Sequence, residues 1–160
     1  MASPEPRRKL SQEELDQLHT EAEARITTFS YAKPDVATGK GSVQLAKTDR
    51  IRGLVQIVKK NGGENNLHYH TNADSMWMVL KGRVRFYGPG DEVIGEFGPF
   101  EGTITPAFSR YWFENVGDGD LELLQVGARH DRQENTTGRT DVTPQRYKVG
   151  TGQKFSAAKS

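Results

Sequence analysis

Two of the four histidines in this 160-residue chain, His68 and His70, stand two positions apart in the stretch HYH. Side chains on an extended segment alternate between its two faces, so both imidazoles are predicted to project from the same face. Imidazole nitrogen suits several divalent transition metals (Fe, Mn, Ni, Cu or Zn), and accessory ligands select among them. The pair therefore indicates part of a metal site, although two ligands do not complete one.

The composition excludes several other classes of function. The chain has no cysteine, so disulfides, thiolate ligands and thiol nucleophiles are ruled out. Its net charge is only +1, with acidic and basic residues intermixed. A nucleic acid partner would need a concentrated basic surface, and none is expected. No stretch approaches the ~20 apolar residues of a membrane span, and no apolar run follows the N-terminal basic residues as in a secretory signal. We expect a cytoplasmic protein with no membrane partner.

Sequence periodicity predicts mostly strands around the histidine pair. One helix is expected over residues 12–28, because Ser11 and Glu14 form a capping-box pattern and weakly apolar positions follow at helical spacing. After residue 41 the apolar residues recur at every second position, as in strands, instead of at helical spacing. Short segments rich in β-branched and aromatic residues, separated by turn residues, predict an all-β antiparallel barrel or jelly roll. These segments are 42–48, 53–59, 75–80, 83–87, 92–97, 102–105, 110–115 and 121–127.

The same pattern predicts one domain with less regular ends. Residues 1–10 are polar and are expected to be flexible. Residues 11–41 form the helix and a loop, and residues 42–130 form the barrel. Residues 131–160 are polar with scattered glycine and proline, which predicts an irregular tail. Composition leaves open whether that tail is disordered or lies along the barrel.

The stretch from residue 62 to residue 115 resembles the cupin superfamily, small jelly-roll barrels with a metal or ligand site in the mouth. The first motif of that family has a glycine, five residues, His-x-His, a glutamate and a closing glycine. Gly62, His68, His70 and Gly82 match it at the expected spacing. Ser75 stands at the position of the glutamate.

The second cupin motif is matched in part by PAFSRYWFEN. Pro106 and Asn115 have the expected spacing. Phe100 and Phe108 stand at the two glycine positions of the motif, and Tyr111 replaces its histidine. Asp74 could substitute for the missing glutamate only through a one-residue slip, which would turn the side chain to the opposite face of the strand.

The resemblance implies a small-molecule enzyme of oxygenase, lyase or isomerase type, with a divalent metal held by His68 and His70. Tyr111 would then be a third ligand or an acid/base group. As a phenolate ligand it would need the metal to lower its pKa of about 10. Ser75 would be a weak ligand or a hydrogen-bond donor to bound water. The resemblance also implies a homodimer.

Two alternatives remain open at this point. Some cupins isomerise or epimerise nucleotide-linked sugars without a metal, and His68 or His70 as base with Tyr111 as proton donor would suit that chemistry. The sequence shows no obvious basic cluster for a diphosphate, because Arg110 is predicted to point away from Tyr111. The other alternative is a non-catalytic binding protein whose histidines only form hydrogen bonds in a polar cavity.

The remaining candidate residues have weaker signals. Trp77 and Phe113 are predicted to face inward, where they either line a cavity for a small molecule or belong to the core. His19 lies in the predicted helix and is expected to be exposed. His130 follows the last predicted strand and is expected at the surface rather than at the barrel rim.

Overall fold

The computed structural model describes residues 6–130, 138–147 and 152–159. Within them, the chain forms one α-helix, a single-turn 3-10 helix at Pro89–Asp91 and eleven strands. The helix α1 is Gln12–Glu23. The strands are β1 Lys40–Lys47, β2 Ile51–Val58, β3 His68–His70, β4 Ala73–Lys81, β5 Val84–Tyr87, β6 Val93–Phe97, β7 Gly102–Thr105, β8 Trp112–Asn115, β9 Leu121–Arg129, β10 Arg139–Asp141 and β11 Gln153–Ser156. The predicted all-β fold with an N-terminal helix is confirmed.

The helix begins where its capping box predicts. The Ser11 hydroxyl accepts a hydrogen bond from the Glu14 amide at 3.2 Å, and the Ser11 amide donates to the Glu14 carboxylate at 2.8 Å. The helix ends at Glu23, about one turn earlier than predicted. None of its residues is buried, so no tertiary packing supports a continuation into the β-branched residues 26–28.

Two sheets face each other to form the barrel. The larger has six strands in the order β11-β1-β2-β9-β4-β7, and the smaller has the order β6-β5-β8. All pairings are antiparallel except the one between β1 and β11. A third, two-stranded sheet of β3 and β10 crosses one end and carries the histidine pair.

Two apolar clusters pack on opposite sides of the six-stranded sheet. The inner cluster fills the barrel and consists of Val58, Trp77, Val79, Val84, Phe86, Tyr111, Phe113, Leu121 and Leu123. The outer cluster lies on the other side of the sheet, where the chain before β1 and strand β11 cover it. It consists of Val36, Val43, Leu45, Val55 and Ile57. Strands β1 and β2 therefore bury their apolar residues mainly on the outside of the barrel.

The C-terminal segment contributes two strands to the fold. Residues 131–137, 148–151 and 160 of the predicted irregular tail lie outside the described residues, as do residues 1–5 of the predicted flexible N-terminus. Strand β11 pairs with β1, and β10 pairs with β3. The buried Asn66 side chain holds the next turn by accepting from the amides of Arg146 and Tyr147 at 2.9 and 2.7 Å. In these stretches the prediction of irregular structure is wrong, and the chain lies along the barrel.

Three positions at which the cupin motifs have glycine have a positive φ. Gly82 has a φ of 94°, which favours glycine. Phe100 and Phe108 have φ values of 66° and 67°, although both carry a side chain. The turn geometry is thus maintained without glycine, at a steric cost of about 1 kcal/mol or more for each residue.

Across the described stretches, no helix has the length and apolar character needed to cross a bilayer. Cytoplasmic location and homodimer formation stay predictions.

Candidate functional site

His68 and His70 point into one cavity at the end of the barrel. Strand β3 places them on the same face, as predicted, with ring centroids 5.3 Å apart and the rings edge to face. His68 is buried, while His70 is half-buried. Both line a space of about 400 Å³, which we call the main cavity. Its volume falls in the lower part of the range typical of small-molecule sites.

The backbone fixes the tautomer of His68. The His68 Nδ1 atom lies 2.7 Å from the carbonyl oxygen of Asn66. A carbonyl can only accept, so Nδ1 carries the proton and Nε2 keeps a free lone pair. Burial, followed by the nearby Arg139 charge, lowers the pKa of His68 to about 3. The same two causes lower the pKa of His70. Both imidazoles are therefore neutral near pH 7.

Tyr111 lies directly opposite His68. The two residues exchange backbone hydrogen bonds of 3.1 and 3.0 Å, and their ring centroids are 4.5 Å apart. The Tyr111 hydroxyl is buried and has no hydrogen-bond partner among the described residues. The Thr105 hydroxyl is nearby: it accepts from Trp77 Nε1 at 2.9 Å, donates to the Ser75 carbonyl, and lowers the pKa of Tyr111 by less than burial raises it. Burial raises the pKa of Tyr111 to about 12, so the phenol is protonated at neutral pH.

Ser75 is also on the inner side of the barrel, in the predicted register. Its hydroxyl accepts from Gln125 Nε2 at 3.2 Å. It lines a smaller space of about 290 Å³, the side cavity, together with His70 and Gln125. The main cavity is adjacent to it, because His70 and Gln125 line both. Ser75 thus lines the side cavity and not the main cavity that contains His68 and Tyr111.

Asp74 is outside the site. Its carboxylate accepts from the Ala107 amide at 2.7 Å and lies 3.0 Å from His130 Nε2. The register slip that would bring Asp74 inward therefore does not occur. His130 is at the surface, as expected, and His19 is exposed on α1.

Trp77 and Phe113 belong to the apolar core and also line a cavity, which were the two alternatives left open by the sequence. Both belong to the inner apolar cluster, with ring centroids 5.4 Å apart. Both also line the main cavity, so its floor is aromatic.

Sequence reasoning missed the basic residues of the cavity. The main cavity is lined by Lys40, Arg52, Arg139 and Lys154. Their spacing in the sequence carries no motif, because they come from four different strands. The alternation of strand β1 was the available signal, since Lys40, Ser42 and Gln44 form one polar face. The expectation that the chain lacks a basic cluster is therefore wrong, although Arg110, predicted to point away from Tyr111, is exposed and lines neither this cavity nor its neighbours.

As a metal site, the cavity offers an incomplete donor set. His68 supplies a free Nε2, His70 is neutral, and the unpartnered Tyr111 hydroxyl is a possible third donor. In the described part of the chain, no group of three or more His, Cys, Asp or Glu side chains is arranged to hold a metal. The residues fit a weakly held divalent ion whose other positions are taken by water or substrate.

A concave surface larger than either cavity lies elsewhere. It has a volume of about 1020 Å³ and is lined mainly by apolar residues of the outer sheet face and by the end of α1. We call it the outer groove. None of the histidines and neither Tyr69 nor Tyr111 lines it, and the hydroxyl of its one tyrosine, Tyr31, donates a hydrogen bond to the Glu122 carboxylate at 2.5 Å. Volume alone therefore does not identify the reactive site.

Comparison with known proteins supports this fold. The family model for the cupin domain matches residues 54–127. An uncharacterised conserved protein with a double-stranded β-helix domain from Klebsiella pneumoniae is 19% identical, with a TM-score of 0.56 over 76% of this chain and 94% of that one. An RmlC-like cupin family protein from Methanocaldococcus jannaschii is 15% identical, with a TM-score of 0.55 over 69% and 97%. KdgF from Halomonas sp. is 18% identical, with a TM-score of 0.54 over 66% and 97%. Comparison with curated protein sequences gives no match.

Proposed function

We propose, given that this chain belongs to the cupin superfamily, that it is a small-molecule enzyme with a divalent transition metal on His68 and His70. Tyr111 would stand beside that metal as third ligand or proton donor. One observation carries the proposal: two neutral imidazoles and an unpartnered, buried tyrosine hydroxyl meet in one cavity. Unpartnered buried polar groups are rare, so their meeting in a cavity favours a bound group.

The residues of the chain would each have a defined role. A divalent ion bound there would supply Lewis-acid chemistry to a small-molecule substrate. The Asn66 carbonyl orients His68 and keeps its Nε2 free, which is the usual task of a carbonyl behind a ligating histidine. Tyr111 holds its proton and can donate a hydrogen bond to a substrate oxygen. Trp77 and Phe113 exclude water from the cavity floor.

Elemental mass spectrometry of protein purified without a histidine tag tests the proposal. Near-stoichiometric metal is expected in the native chain, and none in the His68→Ala/His70→Ala variant. The matched control is His19→Ala/His130→Ala, which removes the two exposed histidines and should keep the metal. If the native chain stays metal-free after incubation with Fe, Mn, Ni, Cu and Zn in turn, the metal proposal is wrong.

A metal-free acid/base enzyme is the second candidate. The specific observation in its favour is the positive charge of Arg139, which after burial is the second cause that lowers the pKa of His68 and His70 and would equally disfavour a metal cation. His70 would then act as base and Tyr111 as hydrogen-bond donor to a developing oxyanion. Hydrogen–deuterium exchange at carbon in a panel of small carbonyl compounds, followed by mass spectrometry, would detect this activity. It should disappear in His70→Ala, whereas a purely binding protein would show no exchange.

A further inference from the structure

The lysine and arginine side chains that line the main cavity and the side cavity make this region positively charged. Arg52 lines both cavities, Lys40, Arg139 and Lys154 line the main cavity, and Lys47 and Arg129 line the side cavity. No aspartate or glutamate lines either cavity in the described part of the chain. This sign bias contrasts with the net charge of only +1 for the whole chain.

The strand register brings these cations together. Strand β10 pairs with β3 so that Arg139 is opposite His70, and opposite residues of an antiparallel pair share a face. Lys154 is opposite Ser42 on β11 and β1, and Lys47 is opposite Arg52 on β1 and β2. The cations therefore project from several strands toward one end of the barrel.

Little within the chain neutralises this charge. Arg139 forms an ion pair of 2.9 Å with Asp141, whose carboxylate is largely buried. Among the described residues, the other five cations have no carboxylate within 4.0 Å. Lys40 lies deeper than the rest, with its Nζ 5.9 Å from the centroid of the Phe113 ring. Burial, and then the charge of Arg139, lower the pKa of Lys40 to about 8.

Unsatisfied polar atoms point to the same place. The Tyr111 hydroxyl and the Gln56 Oε1 atom are the buried side-chain oxygens that lack a partner among the described residues. Both residues line the main cavity. The Tyr111 hydroxyl can donate to a ligand oxyanion, whereas Gln56 Oε1 can only accept from an O–H or N–H group of the ligand. An unpaired buried polar group costs about 1–3 kcal/mol.

We propose that the ligand of this cavity is a small organic anion, whose oxyanion is bound by Arg139, Arg52 and Lys40 and whose uncharged part rests on Trp77 and Phe113. This inference names the substrate class of the proposed enzyme and rests on that function for its catalytic meaning. Arginine binds carboxylate and phosphate through the same planar fork, so both chemistries match the site. A concave surface of one sign also raises the local concentration of an oppositely charged ligand.

Matched pairs of small aromatic probes test the charge requirement. Chelator-treated protein is titrated by calorimetry with benzoate, phenyl phosphate, benzamide and inorganic phosphate. At least one of the two aromatic anions should bind more tightly than neutral benzamide by about tenfold, which corresponds to ~1.4 kcal/mol. Whichever aromatic anion binds more tightly identifies the oxyanion as carboxylate or phosphate. Tighter binding of inorganic phosphate than of both aromatic anions would overturn the proposed role of the aromatic floor.

Substitutions locate the binding to the cavity. Arg139→Gln should remove most of the preference for the anion while leaving benzamide affinity unchanged. Because Arg139→Gln also frees Asp141 and could disturb folding, Arg52→Gln serves as a second variant at an exposed position. Arg110→Gln is the control, since Arg110 is exposed beside Tyr111 but lines neither cavity. Equal binding of anions and benzamide, no binding of any anion at roughly 10 mM, or an unchanged preference in both cavity variants would overturn the proposal.

The outcome is separable from that of the metal test. The probes are titrated in the absence of metal, so anion selectivity can be found even if His68 and His70 bind no ion. Conversely, stoichiometric metal with no anion preference would support the metal site and overturn only the substrate class.

Discussion

The two faces of the six-stranded sheet differ in a way that separates stability from function. The outer face packs Val43, Leu45, Val55 and Ile57 into an apolar cluster. At the cavity end, the inner face of the same strands presents Lys40, Arg52 and Gln56. Apolar burial stabilises the fold at about 25 cal/mol per Å², whereas unpaired cations and polar atoms in a cavity do not stabilise it. The outer face therefore stabilises the barrel. The inner face at the cavity end lowers the stability of the barrel, and a bound ligand that pairs with these groups would offset that loss.

The largest predicted effect is a loss of folding stability in acid, and it is caused by His68 in the cavity. In the metal-free protein, the pKa of His68 is lowered to about 3 from an unfolded value near 6.5. The unfolded chain then binds the proton more readily, so stability falls as pH drops from 6.5 toward 3, by at most about 5 kcal/mol. Arg139 and His70 oppose protonation of His68 and Asp141 favours it. Urea denaturation at several pH values should show this slope.

A variant at His68 separates this residue from other groups that titrate in acid. His68→Gln removes the titrating ring and retains an amide donor for the Asn66 carbonyl. The acid slope should be clearly smaller in this variant. An unchanged slope would assign the acid sensitivity to the carboxylates of the chain instead.

The next effect compares neighbouring residues on opposite faces of β2. Ile57 is fully buried in the outer cluster, so Ile57→Ala should lower the free energy of unfolding by about 3–4 kcal/mol at any pH. Gln56 faces the cavity and donates to Gln125 at 2.9 Å. Gln56→Ala should cost only about 1 kcal/mol. Chemical denaturation measures both, and equal losses would contradict the division between the two faces.

Lys40 predicts a smaller effect in the same direction, a rise of stability with pH, but in the alkaline range. Its pKa is lowered to about 8 from 10.5, so the unfolded chain binds the proton more strongly between these values. Stability should therefore rise from pH 8 to 10.5, by at most about 3 kcal/mol. Lys40→Met should be more stable than the native chain at pH 7 and lack this rise. Loss of stability in Lys40→Met at pH 7 would show that the buried charge is compensated in the protein without ligand.

The smallest predicted effect on stability comes from a turn rather than from either face of the six-stranded sheet. Phe100 has a positive φ and is 78% exposed, so its side chain adds steric cost and little packing. Phe100→Gly should raise the free energy of unfolding by up to about 1 kcal/mol. Phe108→Gly should gain less, because Phe108 stacks on Tyr69 at 6.4 Å. A thermal melt of both variants checks the order, and destabilisation by Phe100→Gly would mean that the exposed ring has a contact elsewhere.

The sequence by itself determined the fold class, most of the strands and the shared face of His68 and His70. These features are local, since periodicity, turn residues and motif spacing act within a few residues. The same alternation placed Ser75, Trp77 and Tyr111 inside the barrel, and all three are buried there.

Only the tertiary structure decided what surrounds the histidines. Arg139 reaches the cavity because β10 returns from the C-terminal segment to pair with β3, about 70 residues away in sequence. Lys40 faces inward because the outer side of β1 is covered by the chain before it and by Phe155 of β11. The alternation of polar and apolar residues shows that a strand has two different faces. The packing of segments that are distant in sequence decides which of the two faces lines the cavity. The charge of the cavity, and with it the proposed ligand class, follows from that assembly.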